Sequence, residues 1–156
     1  MRLAGGPVCL GHNATTPVDT RVTAAVSPPD HPGNPSSSHS YGRQPRAALE
    51  QACAQVATLI GTRPYEIVFT ASGSEADLLV LRGGALASGR PRPHVITQAT
   101  EHPAVIRTCH VLERLHGARI TVLPVGGDGL VDPAALATAL DEDAVLVSGC
   151  CWALWS

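Results

Sequence analysis

Two short stretches of this sequence hold residues whose types and spacing suit chemistry. The first is FTASGSEADLLVL, residues 69–81. Within it, Ser72-Gly73-Ser74-Glu75 places a hydroxyl at a helix cap and a carboxylate three residues later, the pattern of a capping box. Small residues let an anion reach the free amides of a helix start, where the helix dipole is positive. Ser74 adds a hydroxyl donor. The second stretch is ATEHPA, residues 99–104. Here His102 stands at or beside another helix cap, with an imidazole suited to stacking on a flat ring or moving protons. Taken alone, each stretch is also explained as a capped turn with no ligand. The nucleotide fingerprints GxGxxG and GxxxxGK[ST] are absent, so an anion at the first turn would belong to a cofactor of another kind.

Other chemistries are closed. His102, Cys109 and His116 recur every seven residues and share one helix face. Seven residues rise ~10.5 Å, whereas ligands of one ion lie within ~2.3 Å of it, so no metal site is expected. Cys9, Cys53, Cys109, Cys150 and Cys151 form no CxxC pair, which argues against structural zinc and a disulfide framework. Adjacent Cys150 and Cys151 read as small apolar filler, with redox activity as the alternative. Lys plus Arg total 11 and eleven arginines are present, so these 156 residues contain no lysine. Reactions needing an amine side chain cannot draw on them.

The elements that position these turns follow from periodicity. Residues 1–44 show none and are rich in turn residues, as in SPPDHPGNPSSSHSYGR; an irregular N-terminal arm is expected. PRAALEQACAQVATLIG then sets Leu49, Cys53, Val56, Leu59 and Ile60 on one helical face, with Pro45 in the first turn and Gly61 as C-terminal cap. EIVFT reads as a buried strand. SEADLLVLRGGALAS reads as a helix apolar nearly all round, covered on more than one side. HVITQA, PAVIRTCHVLERLHG, RITVLPV, DPAALATAL and DAVLVSG continue the alternation to β-α-β-α-β-α-β. Strands joined by helices of this length imply an α/β fold with a mainly parallel sheet, whose ligands bind at the carboxyl ends of the strands. Both chemical stretches follow strands.

Composition narrows the class. Apolar residues make up 44% and aromatics 3%, so a globular core must come from Ala, Val, Leu and Ile. A net charge of -2 with scattered arginines argues against nucleic acid as a partner. No apolar run approaches the ~20 residues of a membrane span, and the first residues lack the apolar core of a signal peptide. A soluble, cytoplasmic protein is expected.

Four stretches in matching order and spacing carry a resemblance: HNATTPVD (12–19), GNPSSSHSYGR (33–43), EIVFTASGSEAD (66–77) and EHPAVI (101–106). Together they resemble the N-terminal part of the cysteine desulfurases, the NifS/IscS-like group of the class V aminotransferases, which use pyridoxal 5'-phosphate. Selenocysteine lyases are similar. The resemblance runs from about residue 8 to about residue 148 and covers about the first third of a family member. It implies a partial large domain of the pyridoxal-phosphate-dependent transferase fold of type I: an arm over 1–44, an incomplete α/β cofactor-binding domain over 45–148, and a non-family tail over 149–156. It implies that Gly73 and Ser74 hold the cofactor phosphate, that His102 stacks on the pyridine ring and assists proton transfer, and that Asn13 lies near the substrate. L-Cysteine as substrate, alanine as product and a homodimer are implied likewise.

The chain departs from the family in places. Gly11 stands where an Asp is usual, Leu78 where an Asn is usual, and a shorter, proline-rich SPPDHPGNPSS weakens a helix expected around 20–30. After Ser148 the family continues into an ANNETG-like segment, then supplies an Asp for the pyridinium nitrogen, the Lys that tethers the cofactor, a mobile nucleophilic Cys and a carboxylate-binding Arg. Here GCCWALWS follows instead, which predicts a truncated or frameshifted reading frame. Covalent attachment of the cofactor through a lysine of this chain is not possible. The expectation is therefore a cysteine desulfurase-like protein by family that is inactive as these 156 residues. The alternatives are a selenocysteine lyase-like fragment, a non-catalytic binding or dimerisation fragment, or a pseudogene remnant.

Overall fold

A computed structural model of the chain describes residues 16–26 and 33–149. These divide into two compact units, one ending at Val68 and the other beginning at Phe69.

The first unit opens with helix α1, Thr20–Val26. Asp19 starts it: its carboxylate accepts from the Arg21 amide at 2.8 Å and pairs with the Arg21 guanidinium at 2.9 Å. That guanidinium holds the Asp19 carboxyl below the usual carboxylate range. The helix arises in a stretch without readable periodicity because it buries no residue and so has no apolar face to read. GNPSSSHSYGR then folds into linked turns. The Asn34 side chain accepts from Ser36 N at 2.9 Å, and its carbonyl accepts from Ser37 N at 3.0 Å. Gly42 is buried, and a Cβ there would collide with the carbonyl oxygens of Ser37 and Asn34.

Helix α2, Arg43–Ile60, follows, and Gly61 closes it in the left-handed region at φ 73°. Its expected apolar face is only partly covered. Ala57 is buried and Cys53 and Val56 are half-buried, whereas Leu49, Leu59 and Ile60 are exposed. A 3-10 turn, Pro64–Glu66, comes next. The Glu66 carboxylate receives Arg63 N at 2.9 Å, the Arg63 guanidinium at 2.9 Å and the Thr62 hydroxyl. These donors, Arg63 foremost, hold its carboxyl at about 2.

EIVFT does not form the expected strand. Its backbone is extended at Ile67 (φ -92°, ψ 125°), but residues 67–70 pair with no strand among the described residues. Val68 and Phe69 are exposed. Extended conformation is local, whereas a strand requires a neighbour to complete its hydrogen bonds.

The second unit is built on three strands: β1, His94–Gln98; β2, Arg119–Leu123; and β3, Ala144–Val147. All pairings are parallel, in the order β2-β1-β3, with Val95 opposite Ile120 and Leu146. Three helices serve this sheet: α3, Gly73–Ala87; α4, Pro103–His116; and α5, Pro133–Ala139. The chain passes from β1 through α4 to β2, then back across β1 through α5 to β3. Right-handed crossovers therefore set α4 and α5 on opposite faces of the sheet. Helix α3 packs on α4, and Leu81, Ala85, Val95, Val105, Cys109, Leu112 and Ala118 form one buried cluster. Positions 105, 108, 109 and 112 are the buried stripe of α4, the i, i+3, i+4, i+7 pattern of a helix with one covered face. Helix α3 is less covered than its apolar sequence predicts: Leu81 and Ala85 are buried, but Leu78, Leu79, Val80 and Leu86 are exposed.

β1 is buried along its whole length. Thr97 is 1% exposed, and its hydroxyl has no hydrogen-bond partner among the described residues. An unsatisfied buried hydroxyl destabilises, and a methyl in its place would not. Thr97→Val should therefore raise the thermal midpoint by roughly 2–4 °C, equivalent to about 1 kcal/mol. An unchanged or lowered midpoint would show that the hydroxyl is satisfied.

The amino end of the sheet is fastened by charge. The buried His94 ring meets Asp141 Oδ1 at 3.2 Å through Nδ1 and Thr121 Oγ1 at 2.8 Å through Nε2. A carboxylate only accepts, so Nδ1 carries the proton, and in the neutral ring Nε2 accepts from the Thr121 hydroxyl. Asp141 also pairs with the Arg119 guanidinium and accepts from Asp143 N at 3.1 Å. Arg119 first, with His94 adding to it, holds the Asp141 carboxyl at about 2. A depressed carboxyl contributes stability above its unfolded value near ~4, and that contribution is lost as pH falls through the folded value. The stability difference between the native chain and Asp141→Asn should therefore shrink between about pH 5 and about pH 2. Paired thermal melts across that range check this, since Glu66 titrates equally in both proteins.

Candidate functional site

The two chemical stretches lie at one edge of the second unit. A Cβ at Gly84, late in α3, would lie 3.1 Å from the Leu146 side chain, and Leu146 pairs with Val95 near the start of β1. Eleven residues of helix, ~16 Å, separate Gly84 from Gly73, about the ~16 Å length of a five-residue strand. Helix α3 therefore begins at the carboxyl edge of the sheet. Helix α4 begins there too, since it follows β1 directly. Strand order also reverses around β1, which makes this edge the crevice where such sheets bind ligands.

Ser72 is the N-cap of α3, extended at φ -161° and ψ 161°, and its hydroxyl accepts from Glu75 N at 3.2 Å. The reciprocal half of the capping box is shifted by one residue. Glu75 Oε2 accepts from Ala71 N at 2.7 Å, not from Ser72 N. The cap serves Glu75 N, and Ala76 N donates to Ser72 O at 3.1 Å. The amides of Gly73 and Ser74 and the Ser74 hydroxyl have no partner among the described residues, and both residues are exposed. A Cβ at Gly73 would meet nothing within 4 Å, so the backbone is open to close approach. Two free amides, a hydroxyl and the positive end of a 15-residue helix form a donor set that suits a phosphate. The site fits that part of pyridoxal phosphate.

His102 is the N-cap of α4, with Pro103 at the first helical position. Its Nδ1 accepts from Ala104 N at 3.1 Å, so the neutral ring carries its proton on Nε2. The ring is exposed and free to lie against a flat ligand. Beside it, Glu101 joins two loops: Oε1 accepts from the Ser148 hydroxyl at 2.8 Å and Oε2 from the His102 amide at 3.3 Å. Ser148 follows β3 directly, and its amide donates to Ile96 O of β1 at 2.8 Å. Burial first, and the Glu101 carboxylate second, push the Cys109 thiol up, so this cysteine is inert core material.

The structure thus brings Gly73, Ser74 and His102 to one edge. Asn13 lies outside the described residues. Sequence reasoning missed the Glu101–Ser148 link, which spans 47 residues and leaves no local signal. Two open grooves lie elsewhere. One of about 600 Å³ is lined by Arg46, Leu49, Cys53 and Tyr65 among others, and one of about 430 Å³ by residues between Pro124 and Pro133. Among the described residues no three His, Cys, Asp or Glu groups are placed to share a metal ion, and no helix is long and apolar enough to cross a membrane.

A parallel sheet with this edge, these caps and this motif order defines a class, and the chain belongs to the class-V aminotransferase family, whose profile matches residues 8–152. That family is pyridoxal-phosphate dependent. The chain is 43% identical over 143 residues to the cysteine desulfurase IscS of Dictyoglomus turgidum, covering 90% of this chain and 36% of the relative. It is 42% identical to the mitochondrial cysteine desulfurase of Drosophila melanogaster, covering 92% and 32%. A solved NifS-like protein superposes with a TM-score of 0.78 at 34% identity, covering 88% of this chain and 38% of that one. SspA, solved in complex with cysteine, gives 0.77 at 32% identity, covering 87% and 40%. The chain spans about a third of the length of the curated relatives it matches.

Proposed function

We propose that this chain is the cofactor-cradling part of a pyridoxal-phosphate-dependent cysteine desulfurase, which takes sulfur from L-cysteine and leaves alanine. The observation that carries this is the pair of unpartnered amides at Gly73 and Ser74 on the sheet edge that also carries His102. In this proposal Gly73 N, Ser74 N and Ser74 Oγ hold the phosphate, and the dipole of α3 adds to their attraction. His102 lies against the pyridine ring, with its tautomer fixed by Ala104 N. Bound pyridoxal phosphate supplies an electron sink for charge that develops on the amino-acid substrate. Asn13 is assigned to the substrate side. The division into an arm over 1–44, an α/β part over 45–148 and a tail over 149–156 belongs to the same proposal, as do a homodimeric assembly and a cytoplasmic setting.

No lysine occurs in the 156 residues, so these residues hold the cofactor by non-covalent contacts alone. Titration of the purified chain with pyridoxal phosphate, followed by visible absorbance before and after borohydride, tests this. Saturable, reversible binding with no reducible side-chain adduct is expected, after the α-amino group is blocked. Absence of saturable binding overturns the cradle, and a reducible side-chain adduct overturns the non-covalent account.

A further inference from the structure

Resting on the assignment of His102 above, we propose that Glu101 is a positioning residue for that histidine, acting through a clasp that joins the ends of β1 and β3. The Glu101 carboxylate receives two donors from different strands' loops, Ser148 Oγ at 2.8 Å and His102 N at 3.3 Å. Ser148 is itself fixed, since its amide donates to Ile96 O inside buried β1 at 2.8 Å. The rigid sheet thus holds Ser148, Ser148 holds Glu101, and Glu101 holds the backbone at the residue whose ring caps α4. Two further features favour a carboxylate here. It is acceptor-only and serves both donors at once, whereas an amide would turn an N–H₂ toward one of them. It also stands one residue before the cap of α4, where the helix dipole favours negative charge. A helix cap alone does not need this arrangement, because His102 Nδ1 already serves Ala104 N.

The test is made on the full chain without cofactor, by nitrogen NMR of the His102 ring and hydrogen exchange at the Ala104 amide. Glu101→Ala should raise Ala104 exchange about fivefold or more, the scale of one lost hydrogen bond, and move the ring nitrogens toward mixed-tautomer values. Ser148→Ala should do the same to a smaller extent, and the double variant should match Glu101→Ala, because both act through one clasp. Glu101→Gln should fall between the native chain and Glu101→Ala. Native-like ring shifts and Ala104 exchange in Glu101→Ala overturn the proposal, as do additive effects in the double variant. If Glu101→Ala does not fold, Ser148→Ala, which deletes a single hydroxyl, decides by the same two readouts. Pyridoxal phosphate affinity separates this proposal from the assignment beneath it. An unchanged affinity in His102→Ala sinks the ring-stacking role, whereas native ring shifts in Glu101→Ala sink the clasp.

Discussion

Ser74→Asp should weaken pyridoxal phosphate binding at least ~30-fold, equivalent to about 2 kcal/mol, while leaving the fold as stable as before or slightly more so. Both halves follow from the position of Ser74 in the first turn of α3. A carboxylate there interacts favourably with the helix dipole, by about 0.3–1 kcal/mol. The same carboxylate removes a hydroxyl donor and sets a negative charge against the phosphate. A hydrogen bond to a charged group is worth about 1.5–3 kcal/mol, and like-charge repulsion in a partly solvated site adds to that loss. Ser74→Ala, which removes the hydroxyl alone, should cost affinity about tenfold or more. Affinity by titration and midpoint by thermal melt should therefore move in opposite directions for Ser74→Asp. A purely structural turn would show the stability change and no change in affinity. Native-like binding by Ser74→Asp would remove Ser74 from the cradle.

The second large effect lies in the first unit. Gly42→Ala should destabilise that unit by about 1–3 kcal/mol or more. Its backbone, at φ -83° and ψ -17°, suits any residue, so backbone strain is not the cause. The cost is steric. The new Cβ would press on the carbonyl oxygens of Ser37 and Asn34, which are main-chain atoms held in their own turn by the Ser37 N to Asn34 O bond. A flexible side chain would swing aside, but these atoms cannot. Hydrogen exchange should rise at the amides of Ser36, Ser37 and Gly42, while the amides of buried β1 in the second unit keep their protection. Unchanged exchange at Ser37 would show that the turn yields to a methyl group at little cost.

How far the fold was legible depended on what kind of information each element carries. Helices α2, α3 and α4 were readable because periodicity and caps are local, and Gly61 and Gly117 sit in the left-handed conformation that glycine favours. β1, β2 and β3 were readable as apolar runs between turns. Their order was not, because the passage from β2 back across β1 is decided by packing. EIVFT failed for the same reason. Its residues favour an extended chain, but the partner that would make it a strand is absent from the described residues. α1 left no pattern of its own, since its seven residues are exposed, and only the resemblance placed a helix around 20–30. At the site, Gly73, Ser74 and His102 were visible in motifs. The shifted Glu75 contact depends on the exact path of the turn, and the Ser148 contact on chain folding over 47 residues.

The cap at His102 has a chemical consequence. An imidazole has a single lone pair in the ring plane, and here the start of α4 holds it through Ala104 N. In that tautomer the ring offers an N–H donor at Nε2 and a flat face, so the start of α4 decides what a ligand meets there: an acceptor group is favoured opposite Nε2, and a donor is not.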